Sequence, residues 1–113
     1  MKKQKRTKAC DISHRVKKAL FERDGGCIFC RIGYYSPPVP QFMFDAMHYI
    51  PRSKSGLGIE QNSAIGCRWH HEMMDQNVHS RRKEMLEYFK SYLMSHYPDW
   101  DEKDLVYDKW RNK

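Results

Sequence analysis

Two pairs of side chains in this sequence have the chemistry and the spacing of metal ligands. Cys27 and Cys30 form a Cys-x2-Cys pair, and Cys67 and His70 form a Cys-x2-His pair. Two intervening residues let both side chains leave one tight turn and reach the same tetrahedral ion. Either pair alone is a weak signal. Together they point to one structural zinc held by Cys27, Cys30, Cys67 and His70. Cys10 has no spaced partner and reads as an ordinary cysteine near a helix start. His71 is left over beside the zinc ligands. Adjacent helical residues diverge by about 100°, so it points elsewhere. Asp75 lies four residues on and shares its helical face. A histidine and an aspartate so placed could hold a second divalent ion, or form a plain surface pair. His48 is a further candidate: a neutral imidazole titrates near working pH and suits a general base. On residue pattern alone, on an apolar strand face, the reading as a core histidine is preferred.

These side chains need elements to position them. From Asp11 to Arg23 the apolar residues Ile12, Val16, Ala19 and Leu20 fall on one helical face, with Asp11 or Ser13 as the cap and Asp24-Gly25-Gly26 as the stop. Arg15, Lys17 and Lys18 lie off that face. Gly33 and the run Pro37-Pro38-Val39-Pro40 mark an irregular connection. Phe42 to Ile50 alternates as a strand does, and Pro51 ends it. The loop Arg52 to Ile59 contains Gly56 and Gly58, which permit tight turns or close approach to a phosphate. Cys67 opens a short helix to about Asp75. A longer helix spans Arg81 to His96, with Met85, Leu86, Phe89, Tyr92 and Leu93 spaced by threes and fours. Pro98 forbids its continuation. Trp69, Trp100 and Trp110 read as packing residues.

Composition narrows the partners. The chain has 113 residues, with 21 Lys and Arg against 14 Asp and Glu, a formal charge of +7. That surplus favours polyanions. No stretch approaches the roughly 20 apolar residues of a membrane span, and no apolar core follows the basic start as in a signal peptide. A cytoplasmic, reducing setting is therefore expected, in which cysteines serve as metal ligands or core residues before disulfides. Three parts are expected: a basic arm over residues 1–10, able to touch phosphates, a domain over 11–97, and an extension over 98–113 docking back on it.

Taken in order, the residues resemble the HNH endonuclease family, and most of all its small, stand-alone, phage-type members. The matching run opens with Val16-Lys17-Lys18-Ala19-Leu20-Phe21-Glu22-Arg23-Asp24-Gly25 and Cys27-Ile28-Phe29-Cys30. It continues through Ala46-Met47-His48-Tyr49-Ile50-Pro51-Arg52-Ser53 and Gly56-Leu57-Gly58-Ile59-Glu60-Gln61-Asn62. Cys67-Arg68-Trp69-His70-His71 and Asp75 close it. The likeness covers roughly residues 12 to 78.

The resemblance implies an α+β fold: a small ββα-metal core stapled by a structural zinc, with flanking helices. It implies a metal-dependent endonuclease that hydrolyses phosphodiester bonds of double-stranded DNA inside a bacterial or phage-infected cell. His48 matches the general base. Asn62 matches the residue that holds the loop and the histidine in place, or in some members binds the metal. His71 matches a ligand of the catalytic cation (Mg²⁺, Mn²⁺ or Ni²⁺), and Asp75 a second ligand position. Arg52, Lys54, Arg81 and Arg82 flank the expected site and could hold the DNA backbone. Met47 departs from the pattern, because many members place a carboxylate or histidine there and a thioether is a poor ligand for a hard ion. Asp45 lies two strand positions away, about 7 Å, and could substitute only across a bulge. The rival reading is a zinc-stabilised DNA-binding module without cleavage.

Overall fold

The helix expected from Ile12, Val16, Ala19 and Leu20 runs over His14–Asp24 (α2) in the computed structural model, which describes residues 5–108. Of the two expected caps, Ser13 fills the position, its hydroxyl accepting the Val16 N–H at 3.1 Å. Gly25 ends the helix at φ 68°, a left-handed conformation that glycine takes without steric cost. Two short helices then start on metal-ligand candidates. Cys27 caps Ile28–Arg31 (α3), and Cys67 caps Arg68–Asp75 (α4). Each Sγ accepts the N–H three residues on, at 3.4 Å in both cases.

Strand β1 is Phe44–His48, shorter than the alternation over 42–50 suggests. Phe42 is 86% exposed because pairing begins only at Phe44, opposite Cys67. The partner strand β2 is Ser63–Cys67, antiparallel, with His48 opposite Ser63. All five β2 residues are buried, so it carries no polar-apolar alternation to announce it. Helix α4 follows β2 directly and packs on both strands and on Arg82–His96 (α5). The core gathers Phe29, Met47, Met74, Met85, Phe89 and Leu93 between sheet and helices. The result is a two-stranded α+β fold in which α2 and α3 back the sheet and α4 and α5 face one another.

Both ends of the described chain join this body. Residues 5–10 of the expected free arm instead form a helix, Lys5–Cys10 (α1), whose last residue is buried. Residues 1–4 lie outside the described residues. Near the C-terminal end of the described residues Leu105 is buried, and Val106 forms a bridge with Gly56. Trp100 donates its Nε1–H to the Gln61 carbonyl at 2.7 Å. Trp110 lies outside the described residues. No helix among the described residues is long and apolar enough to cross a membrane.

Candidate metal centre and adjoining histidine cleft

The four ligand candidates converge. His70 Nδ1 lies 3.5 Å from Cys27 Sγ, 3.4 Å from Cys30 Sγ and 3.2 Å from Cys67 Sγ, and Cys30 and Cys67 Sγ are 3.8 Å apart. A tetrahedral ion bonded at about 2.3 Å to sulfur and about 2.0–2.1 Å to nitrogen sets separations of about 3.8 Å for S···S and about 3.5 Å for S···N. These four separations match a zinc-sized tetrahedron, and all four donor atoms lie within 4.8 Å of one another. The far side of the imidazole agrees. His70 Nε2 faces the carbonyls of Tyr34 and Tyr35, which can only accept, so the proton sits there and Nδ1 presents its lone pair to the thiols. Burial opposes ionisation of Cys27, but His70 and the backbone N–H groups of Cys67 and Cys30 bring its pKa down to about 7. Burial and the neighbouring sulfurs push Cys30 up to about 12. Three thiolates cannot share this space on their own charge, and a dication removes that repulsion. The cluster could thus hold a structural metal such as zinc.

A second group of residues lines an open cleft of about 500 Å³ made by Ile12, Lys17, Asp45, Ala46, His48, Arg52 and His71. His48 enters from the end of β1, His71 from the middle of α4 and Lys17 from α2. His48 Nε2 lies 2.8 Å from the Cys10 carbonyl. The carbonyl accepts, so Nε2 carries the proton and Nδ1 keeps the lone pair. Burial lowers the His48 pKa; the Cys10 carbonyl works the other way, and the positive Arg52 pushes it down again.

His71 is bracketed by carboxylates. Its Nδ1 is 3.0 Å from Asp45 Oδ2, and its Nε2 is 3.1 Å from Asp75 Oδ2. Asp45 also meets Arg68 at 3.1 Å. Burial opposes the Asp45 charge, yet Arg68 and His71 hold its pKa below the usual carboxylate value. Asp45 reaches His71 across the gap from β1 to α4, a contact that its spacing along the strand does not express. Met47 is fully buried in the core. Its sulfur packs so closely on Gly66 that a Cβ there would lie 2.4 Å from it.

Asn62 is also fully buried. Its Nδ2 donates to the carbonyls of Ile50 and Leu57 at 3.1 and 2.8 Å, and its Oδ1 accepts the Ile50 N–H at 2.8 Å. Both amide protons are used across the loop that follows β1. These bonds fasten the loop from inside. The loop glycines serve close backbone packing. A Cβ on Gly56 would lie 1.7 Å from the Ile50 carbonyl oxygen, and one on Gly58 would lie 2.1 Å from that of Asp11.

The four basic candidates separate. Arg52 lines the cleft and pairs with Asp11 at 2.6 Å. Lys54 sits exposed in the turn Arg52–Lys54. Arg81 stacks 3.5 Å over the Tyr35 ring, and Arg82 donates to the Met74 carbonyl at 3.0 Å. Neither of those two reaches the cleft. Lys17 does, and the sequence distinguished it only as one of three basic residues off the apolar face. The Cys10 carbonyl and the Asp45 contact had no sequence signal, since a backbone oxygen has no residue type and Asp45 reaches His71 through the fold.

Comparison with known protein families, curated proteins and solved structures finds no match to this chain.

Proposed function

We propose that this protein is a metal-dependent DNA endonuclease of the HNH kind, stapled by a structural zinc at Cys27, Cys30, Cys67 and His70. One observation carries the reading. The free Nδ1 of His48 and the carboxylate-flanked His71 line one open cleft, with Lys17 and Arg52 on its rim. That is the equipment of phosphodiester hydrolysis: a base, a cation site and positive charge for the phosphates. His48 Nδ1 takes a proton from water, the water oxygen bonds to phosphorus, and the bond to the leaving oxygen breaks. Lys17 and Arg52 hold the backbone on either side. A divalent cation held by Asp45, and by His71 Nδ1 once the proton between that nitrogen and Asp45 is given up, would neutralise charge on the scissile phosphate and the leaving oxygen. Asp45 lines the cleft and Asp75 does not. This favours Asp45 beside the cation and Asp75 as the carboxylate that orients His71 from its other nitrogen.

The rival reading, a zinc-stabilised DNA-binding module, draws on a different observation. Among the described residues only the cysteine-rich cluster gathers three or more metal donors. The His71 site therefore offers few protein ligands. Mg²⁺ tolerates this, since it commonly keeps several waters and binds through one or two carboxylates and substrate phosphates. The deciding experiment incubates supercoiled plasmid with Mg²⁺, Mn²⁺, Ni²⁺ or EDTA. Wild type is expected to nick or cut with a cation and not with EDTA. His48→Ala is expected to lose about 10²–10⁴ in rate while keeping zinc and DNA affinity. Wild-type binding without cleavage under all three cations would install the binding-module reading instead.

A further inference from the structure

The segment before α2 is tied to the loop after β1 at every turn. Arg6 Nε donates to Ser55 Oγ at 2.8 Å, and its Nη2 donates to the Arg52 carbonyl at 2.7 Å. The Gly58 N–H donates to the Ala9 carbonyl at 3.0 Å, and Asp11 pairs with Arg52 at 2.6 Å. Cys10, between these ties, has its side chain buried at 1% exposure and its carbonyl on His48 Nε2. Gly58 sits so close that the Asp11 backbone occupies the space of any added Cβ. The segment is a strap, and its contact with His48 is the last in a row of fixed points.

We infer that residues 5–11 are a positioning element of the cleft: the strap fixes the Cys10 carbonyl against His48 and thereby selects the tautomer whose lone pair is on Nδ1. The inference rests on the endonuclease reading only for its effect on rate. The tautomer selection stands on the geometry alone. A neutral imidazole has one N–H, and a carbonyl held at 2.8 Å from Nε2 stabilises the form with the proton on that nitrogen. Without that carbonyl the two tautomers compete, and part of the protein would present an N–H where the attacking water must give up its proton. The ββα core so outlined is incomplete without chain that precedes it. This strap lies upstream of the stretch, residues 12 to 78, that carries the family resemblance.

The test uses two full-length variants outside the cleft and the metal cluster. Gly58→Ala forces the strap away through its Cβ, and Arg6→Ala removes two of its ties. Nitrogen-15 spectra of histidine-labelled, zinc-loaded protein, recorded where His48 is neutral, identify which ring nitrogen bears hydrogen. Wild-type His48 is expected to carry it on Nε2. Gly58→Ala is expected to give a mixture and, if wild type cleaves DNA, a rate about 10²-fold lower. Arg6→Ala should move both readouts in the same direction by less, and it alone decides the matter if Gly58→Ala does not fold. Wild-type His48 protonated on Nδ1, or wild-type tautomer populations in the folded variants, would overturn the inference. Absence of cleavage by wild type would remove the nuclease reading and leave the tautomer result to stand or fall by itself.

Discussion

His48 and Met47 are neighbours in the chain and belong to different environments. His48 lines the open cleft, whereas Met47 is sealed in the core against Gly66. An aspartate at position 47 would therefore not add a ligand to the cleft. It would bury an unpaired charge, which costs about 3–5 kcal/mol. Met47→Asp is expected to lower the melting temperature sharply, and an unchanged melting curve or a gain in cation affinity would contradict this placement. The titration of His48 gives a second prediction. Burial lowers its pKa, and a base acts only while unprotonated. Its lone pair consequently survives to lower pH than that of an ordinary histidine. The acid limb of the cleavage profile should fall below the usual histidine value of about 6.5. A limb at or above that value would mean that His48 is not the titrating base.

At the scale of elements, the metal cluster is the joint between α3 and the β2–α4 corner. Cys27 and Cys67 each cap a helix and also offer a sulfur to the candidate cluster, so the helix starts themselves place these two donors. Structural zinc contributes about 10–16 kcal/mol to folding in small peptides. Cys67→Ser should lose the metal and either unfold the central region or make it aggregate. Elemental analysis should find one zinc per wild-type chain and none in the variant. A metal-free wild-type preparation that melts like the loaded protein would refute a structural role. The loop after β1 is an element of the same importance. Asn62 ties it from inside, the strap of residues 5–11 from one side and residues 105–107 from the other. The turn that follows the candidate base is thus held by both ends of the described chain.

The whole molecule carries +7, and its basic side chains are divided between structural and free duties. Arg23 is built into the fold: it bridges Asp24 at 2.6 Å and donates to the Glu60 and Ser63 carbonyls. Lys17 lines the cleft, and Arg52 lines it while paired with Asp11 at 2.6 Å. If about five phosphates are contacted, log K for DNA should fall with log salt at a slope of about −4 to −5. Arg81→Ala should leave that slope nearly unchanged, because Arg81 stacks on Tyr35 away from the cleft, whereas Lys17→Ala should flatten it by about one. A salt-independent affinity, or a larger effect from Arg81 than from Lys17, would refute this distribution of contacts.

Local spacing was enough for what local chemistry controls. The four metal-ligand candidates, helix α2 with its cap and stop, the start of α4, the end of α5 before Pro98 and the strand through His48 all follow from residues a few positions apart. Periodicity and capping act within a turn or two, so the sequence displays them directly. Other features depended on segments that meet only in the fold. Strand β2 is buried on both faces and has no alternation to read. Residues 5–10 look like a free basic arm until Arg6 finds the loop after β1 and Cys10 finds His48. Asp45 reaches His71 across the sheet-to-helix gap, and Lys17 joins the cleft while Arg81 stacks on Tyr35 and Arg82 stops at Met74 and Asp75. For Arg6, Cys10, Asp45 and Arg81 a partner tens of residues distant supplies the decisive contact. Packing chooses among such partners by shape and buried area, and neither is written in the spacing of residues along the chain.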